Sequence, residues 1–160
     1  MLFRSEAGSY NGLQVGFTKT EMANRVEALL KSIGLVENFA SLVYVVSHGS
    51  SSVNNPHYAA YDCGACSGRA GSVNSRVLCH MANDPEVRSL LKERGLLIPE
   101  ETRFVGALHD TSRDEIVYYD EMLMSQAHSV LHEENVKIFA EALKANALED
   151  RKSTRLNSSH

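Results

Sequence analysis

The sequence predicts an α/β fold, a mainly parallel sheet flanked by helices, and three features carry that prediction. Two short apolar runs, residues 42–46 and 104–108, lack the alternation of a half-exposed strand and read as strands covered on both faces. Stretches of helical periodicity alternate with them, the first presenting Met22, Val26, Leu29, Leu30 and Ile33. The chain has 160 residues, one domain's worth, enough to bury roughly two-thirds of its unfolded surface around a single core.

Taken in order, residues 1–15 contain Gly8, Ser9, Asn11 and Gly12 and are expected to form a loop or poorly ordered lead-in. Thr18 and Glu21 have capping-box spacing, so a helix is expected to start there and to stop at Gly34. The strand at 42–46 runs directly into Ser47-His48-Gly49-Ser50. Residues 50–71, rich in Ser, Asn, Gly and Pro, form a long irregular stretch of the kind that in a compact domain is usually functional. Ser72 is expected to cap a helix presenting Val73, Val77, Leu78 and Met81. Asn83-Asp84-Pro85-Glu86 ends that helix and opens another with Pro at its first position, and Gly95 closes the second. The strand at 104–108 ends at His109-Asp110-Thr111, and residues 115–119 read as a further strand. A last helix carries Val136, Phe139, Ala140, Leu143 and Ala147 on one face, with its start anywhere between 121 and 134. Residues 151–160 (RKSTRLNSSH) turn abruptly polar and read as a non-native, adapter-like tail, leaving 16–150 as the domain.

Composition narrows the functional classes. With 43% apolar and 22% charged residues the chain is ordinary for a globular protein. Its longest apolar run, residues 42–46, is far below the ~20 residues of a spanning helix, and no secretory leader is expected. The net charge of −4 and the scattered basic residues argue against nucleic acid as a partner. An odd number of cysteines, Cys63, Cys66 and Cys79, argues against a disulfide framework.

Ligands gather at the carboxyl ends of strands in parallel sheets, and here two strand ends deliver His48 and His109. Thiolate and imidazole are the ligands that zinc prefers. His48 and Cys63 bracket the loop, Cys63-Gly-Ala-Cys66 adds a CxxC, and Cys79-His80 follows. Three readings compete: small buried thiols with a hydrogen-bonded histidine, a redox CxxC, and a metal site built on His48 with one or more cysteines. Residue types and spacing leave all three open.

The run from His48-Gly-Ser-Ser-Ser-Val-Asn-Asn-Pro56-His through Asp62-Cys63-Gly-Ala-Cys66 to Gly71-Ser-Val-Asn74-Ser-Arg76 strongly resembles the DabA family. The likeness continues in Gly16-Phe17-Thr18, Ile33-Gly34-Leu35, Asn38-Phe39-Ala40, Val87-Arg88, Ile98-Pro99, Thr102-x-Phe104 and His109-Asp-Thr111 with Asp114. Proteins of that family are the large peripheral subunit of bacterial energy-coupled inorganic-carbon pumps.

The resemblance implies a β-carbonic-anhydrase-like, here incomplete, fold with a zinc (Zn2+) site formed by a Cys-x-Asp pair, a His and a second Cys. The His and second Cys match His48 and Cys63; no cysteine precedes Cys63, so half the ligand set is expected to lie elsewhere in a longer protein. It implies hydration of CO2 to bicarbonate, coupled to ion flow through a DabB-like proton-conducting membrane subunit, at the cytoplasmic face of the bacterial cell membrane. By this reading the chain alone has no activity. The alternative from another class is a structural zinc domain closed by His48, Cys63, Cys66 and either Cys79 or His80. Cys66 is expected to be a small buried residue, Asp62 to bond nearby backbone amides, and Gly64, Gly68 and Gly71 to permit positive φ or close approach. Arg69 and Arg76 are weighed as attractors of bicarbonate and His57 as a solvated loop residue.

Overall fold

A computed structural model describes residues 7–51 and 62–157, so His57 and most of the Ser-Asn-Pro stretch lie outside the described residues. The chain opens with a hairpin where loop was expected. Strands β1 (Gly8–Tyr10) and β2 (Leu13–Val15) pair antiparallel, with Gly8 opposite Val15. Asn11 and Gly12 both have positive φ, 51° and 77°, the two-residue turn whose twist matches that of paired strands.

Helix α1 (Lys19–Ser32) begins at the expected capping box: the Thr18 hydroxyl accepts from the Glu21 amide at 3.2 Å, and the Glu21 carboxylate accepts from the Thr18 amide at 2.8 Å. Met22, Val26 and Leu30 are buried, Leu29 is half-buried, and Ile33, just past the helix end, is exposed. Helix α2 (Ser72–Asn83) starts one residue earlier than expected, with Gly71 in the cap position and Ser72 already helical. Asp84 caps α3 (Pro85–Glu93), its carboxylate accepting from the amides of Glu86 and Val87. The three helices meet in one apolar core of Met22, Val26 and Leu30 from α1, Cys79, Met81 and Ala82 from α2, and Val87 and Leu91 from α3, closed by Leu96, Ile98 and Phe104.

That core covers one face of a three-stranded sheet, in the order β3 (Leu42–Gly49), β4 (Arg103–Asp110), β5 (Glu115–Tyr118). β3 and β4 are parallel, as the buried runs predict, and both extend past the predicted ends to include the two histidines. β5 pairs antiparallel with β4, so the sheet is mixed rather than mainly parallel. The connection at residues 111–114 is the reason: a parallel return needs a crossover of a dozen or more residues.

Helix α4 (Gln126–Asn157) starts where the Ser125 hydroxyl accepts from the His128 amide, and it runs on past residue 150, so the backbone does not change where the composition does. It docks on the other face of the sheet through buried His132. The ring Nε2 donates to the Glu121 carboxylate at 2.9 Å, since a carboxylate only accepts. In the neutral ring Nδ1 then accepts from the Tyr44 hydroxyl of β3, also at 2.9 Å. Tyr118 and Phe139 pack edge-on around Tyr44. No helix among the described residues is long and apolar enough to cross a membrane.

Candidate metal centre

Parallel register places His48 opposite His109 and Gly49 opposite Asp110 at the carboxyl end of the sheet. Paired residues of parallel strands project to the same face, so both imidazoles are delivered to one side, from strands about 4.8 Å apart. His109 is held by a 3.0 Å contact between its Nε2 and the Asp114 carboxylate. His48 is exposed.

Two contacts fold the loop back onto this strand end. The Asp62 carboxylate accepts from the Ser50 amide at 3.3 Å and from the Cys63 amide at 3.2 Å, the backbone role expected of it. At the other end, the Gly71 amide donates to the His48 carbonyl at 2.8 Å. A Cβ at position 71 would sit 2.9 Å from Ser47 Cβ and 3.1 Å from the His48 carbonyl oxygen, so close approach is what Gly71 supplies. Gly68 has the expected positive φ, 68°, whereas Gly64 needs neither freedom: it has ordinary φ and open space around it. The Asp62-Cys63 backbone and the His48 carbonyl are therefore both tied to the carboxyl end of β3. Ser47 is secured there, its hydroxyl donating to the Ala107 carbonyl at 2.8 Å.

A second carboxylate pins the loop base. Asp110 is buried, and one of its oxygens accepts from the Ser51 amide, the Ser112 amide and the Ser112 hydroxyl. These hydrogen bonds, from Ser51 first and then Ser112, outweigh desolvation and hold the carboxyl well below the usual carboxylate range. The sequence reading does not single out this anchor, although Asp two residues before Ser is the spacing of an Asx-turn.

The other candidates are not drawn in. Cys79 belongs to the apolar core, and burial pushes its thiol up to about 12. His80 is exposed and lines a cavity of about 330 Å3 together with Arg76, Cys79 and Asp120. Among the described residues no group of three or more His, Cys, Asp or Glu side chains is placed to hold a metal ion. For the structural zinc domain closed by His48, Cys63, Cys66 and Cys79 or His80, Cys79 packs in the core and both Cys79 and His80 line that cavity, which His48, Cys63 and Cys66 do not reach. Cys66 is not buried as expected but half-exposed, and the Asn74 amide donates to its sulfur at 3.2 Å. Arg76 forms a two-pronged pair with Asp120 at 2.9 and 2.7 Å and lies over the Tyr119 ring, which occupies it structurally. Arg69 is exposed. Cavities of about 610 and 330 Å3 lie around Arg103, at the amino end of β4, and neither is lined by His48, Cys63 or His109.

One imidazole and one thiol at a strand end are donors that suit zinc, and they supply two of the four that a closed tetrahedral site takes. The donor chemistry fits while the donor count is half complete.

Comparison with known proteins bears on the same residues. A relative from Azotobacter vinelandii, named probable inorganic carbon transporter subunit DabA, is 58% identical over 149 residues, which is 93% of this chain and 18% of the relative. One of the same name from Nitrosospira multiformis is 54% identical over 142 residues, 87% of this chain and 16% of its own length. The chain thus spans less than a fifth of these relatives. No solved structure matches it, so the carbonic-anhydrase-like fold stays an expectation. The family model described as probable inorganic carbon transporter subunit DabA matches residues 3–159, and the chain belongs to that family.

Proposed function

We propose that this chain is a segment of the zinc-binding subunit of an inorganic-carbon pump, contributing His48 and Cys63 to a four-ligand zinc centre completed by residues elsewhere in the longer protein. The observation that carries the reading is the convergence of His48 and the Asp62-Cys63 corner on one strand end, through the Ser50 and Gly71 hydrogen bonds. The names of the relatives support inorganic-carbon transport as the process.

Bound zinc would supply the Lewis acidity by which water ionises near neutral pH for attack on CO2, giving bicarbonate. The chain's own residues hold and orient. Asp62 fixes the backbone on which Cys63 sits, Gly71 fixes the His48 carbonyl, and Asp110 ties Ser51 to the turn after β4. Across the register, His109 stands beside His48 with its ring held by Asp114, a position from which it can hydrogen-bond a solvent or substrate oxygen. Coupling to ion flow would require a DabB-like proton-conducting membrane subunit, with this segment at the cytoplasmic face of the membrane.

Zinc titration of the purified chain tests the half-site: the expected result is weak uptake that a chelator readily reverses, and tight one-to-one binding would overturn it. The chain alone should show no appreciable CO2 hydration in a stopped-flow pH-indicator assay.

A further inference from the structure

The proposed metal role uses Cys63 and leaves its neighbour Cys66 without a task. Yet the two are built as a pair. The Cys66 amide donates to the Cys63 carbonyl at 3.0 Å, closing a turn through Gly64 and Ala65. Turns of this kind hold their end Cα atoms within about 7 Å, and disulfides span about 4.4 to 6.8 Å. All three cysteines are free, but Cys63 and Cys66 are half-exposed where Cys79 is buried.

The frame around them is fixed. Cys63 bridges to Arg69, its amide donating to the Arg69 carbonyl at 3.2 Å, while the Gly68 amide donates back to the Cys63 carbonyl at 3.1 Å. Ser67, with φ of 58°, turns the chain between them, and Asn74 of α2 holds the Cys66 sulfur from outside the loop. Bringing the sulfurs into bonding distance therefore asks for side-chain rotation within a turn that is already formed.

We propose that Cys63 and Cys66 are a modification site: a peroxide converts the two thiols into an intraloop disulfide and so withdraws Cys63 from metal binding. One sulfur attacks the O–O bond, becoming a sulfenic acid and releasing water; the second sulfur displaces the hydroxyl as a second water and forms the S–S bond. The two electrons lost by the sulfur pair reduce the peroxide, and both thiol protons leave in water. A disulfide sulfur is no longer the thiolate that binds metal. The dithiol stands on its own geometry; its effect on the metal rests on the function proposed above.

The test is a redox titration of the whole chain in glutathione buffers, read by peptide mapping, in native solution and in urea. The expected result is a Cys63–Cys66 disulfide with Cys79 still a thiol, and an effective thiol concentration in the native chain at least about ten-fold above that in urea. A native value equal to or below the urea value, pairing that involves Cys79, or stable glutathione adducts at Cys63 or Cys66 would overturn it. Zinc uptake is then compared before and after brief peroxide treatment. Oxidised wild type should lose uptake while Cys66→Ser keeps it; uptake that survives disulfide formation overturns the withdrawal of Cys63. A reduced chain that takes up no zinc sinks the metal reading alone, and the disulfide titration still decides the dithiol.

Discussion

The helical core and the strand-end loop are stabilised by different means, and the three cysteines mark the divide. Cys79 lies in the buried core with Met22, Val26, Leu30 and Leu91, where desolvation is the largest influence raising its thiol pKa. Cys63 and Cys66 sit half-exposed on a segment with little apolar cover, held by carboxylates and backbone amides. Apolar packing is non-directional and tolerates drift in a side chain's aim, whereas hydrogen bonds to the Asp62 and Asp110 carboxylates and from the Gly71 amide set direction. A site that must present donors at fixed angles is better served by the second kind of scaffold.

The largest expected effect lies in the core. Leu91→Ala, at a fully buried position, should lower stability by about 2–5 kcal/mol in urea unfolding. A loss below about 1 kcal/mol would mean that the core collapses easily around the gap and that the contrast between regions is overstated.

Next come the loop glycines, which sharpen the comparison within one segment. Gly71→Ala pushes a methyl against Ser47 and the His48 carbonyl and should cost about 1–3 kcal/mol. Gly64→Ala, with open space around it, should fall within about 0.5 kcal/mol of wild type. Equal effects would contradict the docking of residue 71 on the strand end.

The smallest of the stability effects is a pH dependence. The folded state favours the ionised form of Asp110, so its contribution is fully present above the ordinary carboxylate range near pH 4 and is lost as pH falls through that range toward the lower folded value. Asp110→Asn keeps an acceptor oxygen for Ser51 and Ser112 but removes the titration. Its urea midpoint should decline less steeply than that of wild type between about pH 5 and pH 3; parallel declines would count against the anchor.

Local signals were the legible part of the fold. The Thr18–Glu21 box, Gly34, the Asp84-Pro85 start and the two buried runs each act through neighbours in sequence, and the helices and parallel pair follow from them. The Asn11-Gly12 turn was equally local and is a recognised hairpin signal, but its flanking strands are three residues each, too short for the Leu13-Gln14-Val15 alternation to stand out. The antiparallel β5 was readable from the shortness of the turn that precedes it. The Tyr44–His132–Glu121 chain was not, because its partners lie 88 residues apart and meet only when α4 docks. Of the candidate centre, His48 at a strand end and the glycine-rich loop were visible beforehand. What spacing leaves open is which cysteine enters the core, and the packing of α2 is what buries Cys79.

The central claim is that the thiol at position 63 and the imidazole at position 48 bind one zinc ion in the complete protein. Zinc content of the full-length Azotobacter vinelandii relative, purified with Ser in place of the residue at the Cys63 position and separately at the Cys66 position, tests it most directly. The first variant is expected to lose its zinc and the second to retain it stoichiometrically. Stoichiometric zinc in the first variant, with the protein folded, would contradict it.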